Sequence, residues 1–180
     1  MKDVDVLCPE GNEAALLVSA EKLGFKEVIL LYEGFSKKEI DYSGKLKIRL
    51  AAFIRDMGDA GAAKKHHELV FAPAERPFFE SRRIDYVIDA ESASEGKDFF
   101  YQRRAGLDDP MCKLALEREI TIVFGTGSVT DAIMLGRMVQ NARLCRKHKN
   151  KTLIATLAKD VLGMRSAKDL EGFARTIKLR

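Results

Sequence analysis

The sequence predicts an α/β fold: a (β/α) barrel of the TIM type, trimmed or incomplete, with about seven parallel strands in one domain over residues 1–180. Three observations predict it. Short apolar runs, such as residues 28–32 and 120–124, alternate with helix-periodic segments, a rhythm that requires crossover connections and so parallel neighbours. Hydrophobic residues make up 46% and charged residues 32% of the chain, which suits one buried core and excludes a disordered chain or a membrane protein. The length falls short of the roughly 250 residues of a full eight-unit barrel. A doubly wound open sheet satisfies the same rhythm.

Residues 4–7 read as the first strand and 13–23 as a helix with apolar residues on a 3.6 period, closed by Gly24. A second strand at 27–32 leads into a polar connection over 33–44. Strands follow at 45–52, 69–72 and 84–89, separated by a helix at 60–67 and a helical turn at 78–82. Residues 90–107 are long, polar and glycine-containing, the composition of a functional loop. Asp109-Pro110 reads as an N-cap acid and a proline opening a helix that runs to residue 119. A sixth strand spans 120–125, and Thr130 or Asp131 caps a long helix reaching residue 149. A seventh strand spans 152–156, and Ser166 or Lys168 opens a last helix ending at residue 176.

The net charge of +4 divides unevenly. Residues 1–90 carry 14 Lys/Arg against 16 Asp/Glu, and residues 91–180 carry 17 against 11. Between Asp131 and Asp160 no acid occurs, while seven cations do. Such polarity suits a polyanionic partner, although a solvated basic face has the same composition. The start, Met-Lys-Asp-Val-Asp, lacks a secretory apolar region, so a cytoplasmic location is expected. Cys8, Cys112 and Cys145 form no CxxC pair and read as reduced, buried thiols.

Few constellations carry chemistry of their own. His66 and His67 are adjacent and diverge by about 100° on a helix, and His148 sits in a basic run, so a His/carboxylate metal site is not expected. Gly125-Thr126-Gly127-Ser128 lies between a strand and a helix, where a phosphate cradle belongs, but matches neither GxGxxG nor GK[ST]. On the helix from residue 131 to 149, Leu135, Met138, Val139, Ala142 and Cys145 form an apolar stripe. Arg137, Arg143 and Lys147 are expected on the opposite side and Arg146 at the flank. Loops after strands share one face of a parallel barrel, which would gather Arg103, Arg104, Lys159 and Arg165.

Two segments carry a family resemblance. Arg104-Ala-Gly-Leu-Asp-Asp-Pro-Met-Cys-Lys-Leu114 runs into the strand Ile120-Thr-Ile-Val-Phe124, and Asn141-Ala-Arg-Leu-Cys-Arg-Lys-His148 into a strand and then Met164-Arg-Ser-Ala-Lys-Asp-Leu170. Their order resembles archaeal ribonuclease P protein component 3, the thirty-kilodalton subunit family with a PHP-like barrel. The match covers residues 84–175; Asp109 stands where that family usually has His, Thr156-Leu157 where it has Ser-Ser, and Ala167 where it has Pro. The chain also stops where relatives continue, so a last barrel strand is either absent or formed by residues 177–179.

The resemblance implies a subunit that is not itself the catalyst. It would bind and stabilise the catalytic RNA that removes the 5′ leader from precursor tRNA, beside an RRM-like protein subunit. No cofactor is implied for this chain, and Mg2+ would serve the RNA. RNA-binding residues would be Arg103, Arg104, Lys113, Arg143, Arg146, Lys147, Lys159 and Arg165, with Asp108 and Asp169 as motif residues. The alternatives are a PHP-type metal-dependent phosphoesterase and a small-molecule phosphate binder using residues 125–130.

Overall fold

The apolar runs become seven strands, β1 (Val4–Leu7), β2 (Glu27–Glu33), β3 (Lys47–Phe53), β4 (Leu69–Pro73), β5 (Tyr86–Ile88), β6 (Thr121–Gly125) and β7 (Thr152–Ala155). The computed structural model describes residues 3–34, 40–92, 98 and 105–179. Six helices accompany the strands among these residues: α1 (Glu13–Lys22), α2 (Ala60–His66), α3 (Arg76–Glu80), α4 (Asp109–Glu117), α5 (Ala132–His148) and α6 (Ala167–Thr176). Each strand pairs in parallel with the next in sequence. A doubly wound sheet would reverse its order at a switch point. This one does not, and curls instead into a nearly closed barrel.

The pleat sorts strand side chains into two cores. Val6, Ile29, Leu31, Phe71, Val123 and Leu153 fill the barrel, where the Phe71 and Tyr86 rings stack with centroids 4.4 Å apart. Their neighbours Leu7, Leu30, Val70, Val87, Phe124 and Ile154 belong to an outer layer with Leu16, Met111, Met138 and Leu170 of the helices. Each such side chain, fully buried, contributes about 1.5–3 kcal/mol. Ile177 and Leu179 join this outer layer and form no strand, which leaves the other alternative, an absent last strand, among the described residues.

Closure falls on the seam between β1 and β7. Only one parallel bridge, Leu7 to Ala158, spans it, with Cys8 N–H donating to Ala158 and Leu157 N–H to Val6. Asp5 completes the join. Its fully buried carboxyl accepts from Thr156 N–H and Thr156 Oγ1, each at 2.7 Å, and from Val6 N–H at 2.9 Å. Beside the seam Leu157 turns with φ of 53°, and a Cβ at Gly125 would lie 2.6 Å from its side chain. A side chain at the end of β6 would have to displace the Leu157 methyl.

Burial pushes the Asp5 carboxyl up to about 6, against the downward pull of its hydrogen bonds to Thr156 and Val6. The folded state thus holds this proton more tightly than the unfolded chain. The stability it contributes is present at low pH and is lost as pH rises through about 6. Asp5→Ala, which orphans two buried donors of Thr156, should cost about 2–4 kcal/mol in urea unfolding. Wild type should lose up to about 3 kcal/mol relative to the non-titrating Asp5→Asn protein between pH 4 and pH 7. A difference that is flat with pH would show that Asp5 stays ionised in the fold.

Candidate functional site

In parallel barrels the loops after the strands build one face, where enzyme sites normally sit. Here that face holds a cleft of about 930 Å³, lined by Cys8, Glu10, Glu33, Arg55, Asp89, Ser128 and Lys159 among others. Its charges are mutually engaged. Arg55 meets Glu33 at 2.9 Å and Lys159 meets Glu10 at 2.7 Å. Ser128 donates its hydroxyl to Asp89 at 3.2 Å. Burial pushes the Asp89 carboxyl above the usual range, and burial likewise pushes the Cys8 thiol up to about 11, away from a reactive thiolate.

These contacts bear on two expectations. The Gly125–Ser128 segment forms a short 3-10 turn over Thr126–Ser128 whose hydroxyl faces a carboxylate, which opposes a phosphate there. Among the described residues, no group of three or more His, Cys, Asp or Glu is placed to hold a metal ion. The mouth acids Glu10 and Glu33 each pair with a cation.

The outer wall formed by α4 and α5 differs. Asp108, extended at φ −127° and ψ 171°, caps α4 by accepting from Met111 N–H at 2.7 Å. That corrects the expectation that Asp109 is the cap, and places Pro110 in the first turn as the second helical residue. Asp109, the first helical residue, points across to α5, where it meets Lys147 Nζ at 2.6 Å and His148 Nε2 at 2.5 Å. The hydrogen bonds from Lys147 and His148 hold the Asp109 carboxyl below the usual carboxylate range. Between the helices lies a groove of about 310 Å³ lined by Leu107, Gln140, Arg143, Leu144 and Lys147 with both aspartates. Lys113, Arg143 and Arg146 are exposed on this wall and make no ion pair with a described residue.

The remaining cations do not converge. Lys159 is at the barrel mouth. Arg165 donates to the carbonyls of Leu162 and Met164 in its own loop. Ala167 N–H, two residues on, bonds Leu23 at the end of α1, so Arg165 lies near the α1–β2 turn, away from Lys159. Asp169 completes a capping box with Ser166 at the start of α6. Arg103 and Arg104 lie outside the described residues.

Arg137 also departs from expectation, being buried rather than facing solvent. It stands four residues before Asn141 and one before Met138, at the edge of the buried stripe on a 3.6-residue helix. Its guanidinium pairs with Asp98 at 2.9 Å and donates to the Glu91 carbonyl at 3.2 Å. Asn141 donates to Ala105 at 2.6 Å and to the Glu91 carboxyl at 3.2 Å. Thus the inner face of α5 ties down residues 91, 98 and 105 of the long loop. A polar residue at a would-be helix surface within one turn of a buried Asn was the available signal. Cys112 and Cys145 are buried where α4 meets α5, their thiols hydrogen-bonded to each other, while Cys8 is half-buried.

The class these elements define is a parallel (β/α) barrel closed with seven strands. No known family's sequence profile matches the chain, and no curated protein matches it by sequence. Several solved structures match it in fold, among them the two that follow. One is a chain of archaeal ribonuclease P, seen by cryo-EM with mature tRNA: TM-score 0.72 and 16% identity over 97% of this chain and 82% of that one. The other is a histidinol phosphate phosphatase from Lactococcus lactis, complexed with zinc, L-histidinol and phosphate: TM-score 0.63 and 11% identity over 98% of this chain and 92% of that one.

Replacing Arg137 by Met breaks its largely buried pair with Asp98 and should cost about 3–5 kcal/mol. Urea unfolding measures this. A destabilisation below about 1 kcal/mol, the scale of a solvated surface pair, would place Arg137 outside the buried network.

Proposed function

We propose that this chain is a protein subunit of a ribonuclease P ribonucleoprotein, which binds and stabilises the catalytic RNA for 5′-leader removal from precursor tRNA. The observation that carries the reading is a basic wall whose cations have no ion-pair partner among the described residues. Lys113, Arg143 and Arg146 stand exposed on α4 and α5, in the half of the chain with the cation excess. The likeness of fold to a ribonuclease P chain over 97% of the residues supports it. In this reading the RNA performs the chemistry with its own Mg2+, an RRM-like subunit is the protein partner, precursor tRNA is met indirectly, and the site of action is the cytoplasm. No helix among the described residues is long and apolar enough to cross a membrane.

The fold likeness to the phosphatase favours a second reading, a PHP-type metal-dependent phosphoesterase. The paired mouth charges oppose it. Turnover of a phosphomonoester by the chain alone, abolished by chelator, would establish that reading.

Pre-tRNA cleavage by the RNA with its partner proteins should rise when this chain is added. Arg143→Glu with Arg146→Glu should remove most of that gain. Each cation that no longer meets a phosphate should lower the log–log salt slope of RNA binding by about one. Cleavage indifferent to the chain would overturn the proposal.

A further inference from the structure

Resting on that reading, we infer that the Asp109 carboxylate occupies a seat for an RNA phosphate at the mouth of the α4–α5 groove, as an internal competitor that the RNA backbone displaces. Asp109 is the acid that bridges the two helices. It meets Lys147 and His148 on α5 at 2.6 and 2.5 Å, while Asp108 beside it is engaged in capping α4. Arg143 lies one helical turn before Lys147 on the same groove, so an anion at the seat has a second cation within one turn. About half of the Asp109 and two thirds of the Lys147 side-chain surface is open to solvent, so the pair opens without disturbing the core.

A backbone phosphodiester at this position has the same single charge as the carboxylate it replaces on Lys147, and its advantage is that it can meet Arg143 on the same groove as well. The exchange has an opposing side, because the displaced Asp109 stays close by as a like charge. Lys113 follows Asp109 by about one turn of α4 and Arg146 adjoins Lys147 on α5, both exposed. Among the described residues the mouth of the barrel offers nothing comparable, since Arg55 and Lys159 are each held by an acid. The interface is the outer wall, not the barrel mouth.

Removing the competitor should therefore tighten binding. Full-length Asp109→Asn protein should bind the catalytic RNA of ribonuclease P about two- to five-fold more tightly than wild type, the range of one exposed ion pair. In a Lys147→Met background the same substitution should change affinity by less than about 1.5-fold, because the shared seat is gone. Arg143→Glu should weaken binding about ten-fold or more, while Lys159→Glu at the mouth should change it by about two-fold or less. Melting curves for each variant separate a failure to fold from a failure to bind RNA.

An equal gain in both backgrounds would mean that Asp109 repels RNA only as a diffuse charge, and would overturn the seat. So would no gain at all, a larger effect from Lys159→Glu than from Arg143→Glu, or tighter binding to poly-glutamate than to RNA. A scrambled RNA of equal length distinguishes the two readings. The same coupling between Asp109 and Lys147 with no preference for the catalytic RNA keeps the seat and defeats the ribonuclease P assignment. Preference for the catalytic RNA without that coupling does the reverse.

Discussion

A seven-stranded ring has to be closed, and here the closure depends on one buried carboxyl. Strands β1 and β7 are four residues each and run side by side with a single bridge between them. Two strands so short cannot bury enough ladder to hold a barrel shut. Asp5 supplies acceptors where the ladder fails, taking both the amide and the hydroxyl of Thr156. The surrounding apolar residues make those bonds strong, and the same burial disfavours the carboxylate's charge. The rest of the architecture follows from this seam, since the helices pack on an outer surface that exists only when the ring is closed.

Closure also gives α5 two tasks on opposite faces. Its inner face carries Arg137 and Asn141, which hold residues 91, 98 and 105 of the loop after β5. Its outer face carries Arg143, Arg146 and Lys147. The helix is capped at its start by Asp131 and ended by Lys149 in the left-handed conformation, so its rotation about its own axis is fixed by hydrogen bonds at both ends. A small rotation would bring Arg143 towards the core and draw Arg137 out of its pocket. The buried polar cluster therefore sets where the outer cations point.

Much of this was legible in the sequence, for a physical reason. Buried parallel strands are continuous apolar runs, and strands β1 to β7 each coincide with one; the βα rhythm then dictated parallel neighbours. The helix ends were legible to within a residue or two, as with Gly24 at φ 87° after α1. What the pattern could not show was the use of individual polar residues. Asp108 and Asp109 have the same composition and adjacent positions, and only the backbone angles decide which one caps. Arg137 looked solvated because arginine usually is, and its burial depends on Asp98, thirty-nine residues earlier in the chain. The pairing of Asp5 with Thr156 spans 151 residues and leaves no local trace at all.

The count of basic residues was a weaker guide than their pairing. Lys159, Arg165, Arg143 and Arg146 contribute equally to the net charge, yet they differ in what an incoming phosphate must displace. At Lys159 it must break an existing ion pair with Glu10, and at Arg165 it must compete with two loop carbonyls. An exposed pair is worth under about 1 kcal/mol, but that sum is subtracted from each new contact, and the displaced acid remains nearby as a like charge. Arg143, Arg146 and Lys113 carry no such subtraction among the described residues. Lys147 is intermediate, with Asp109 on it. Ordered by that difference, the described cations separate into an engaged mouth and an open wall, and a polyanion reaching the wall has fewer existing contacts to break.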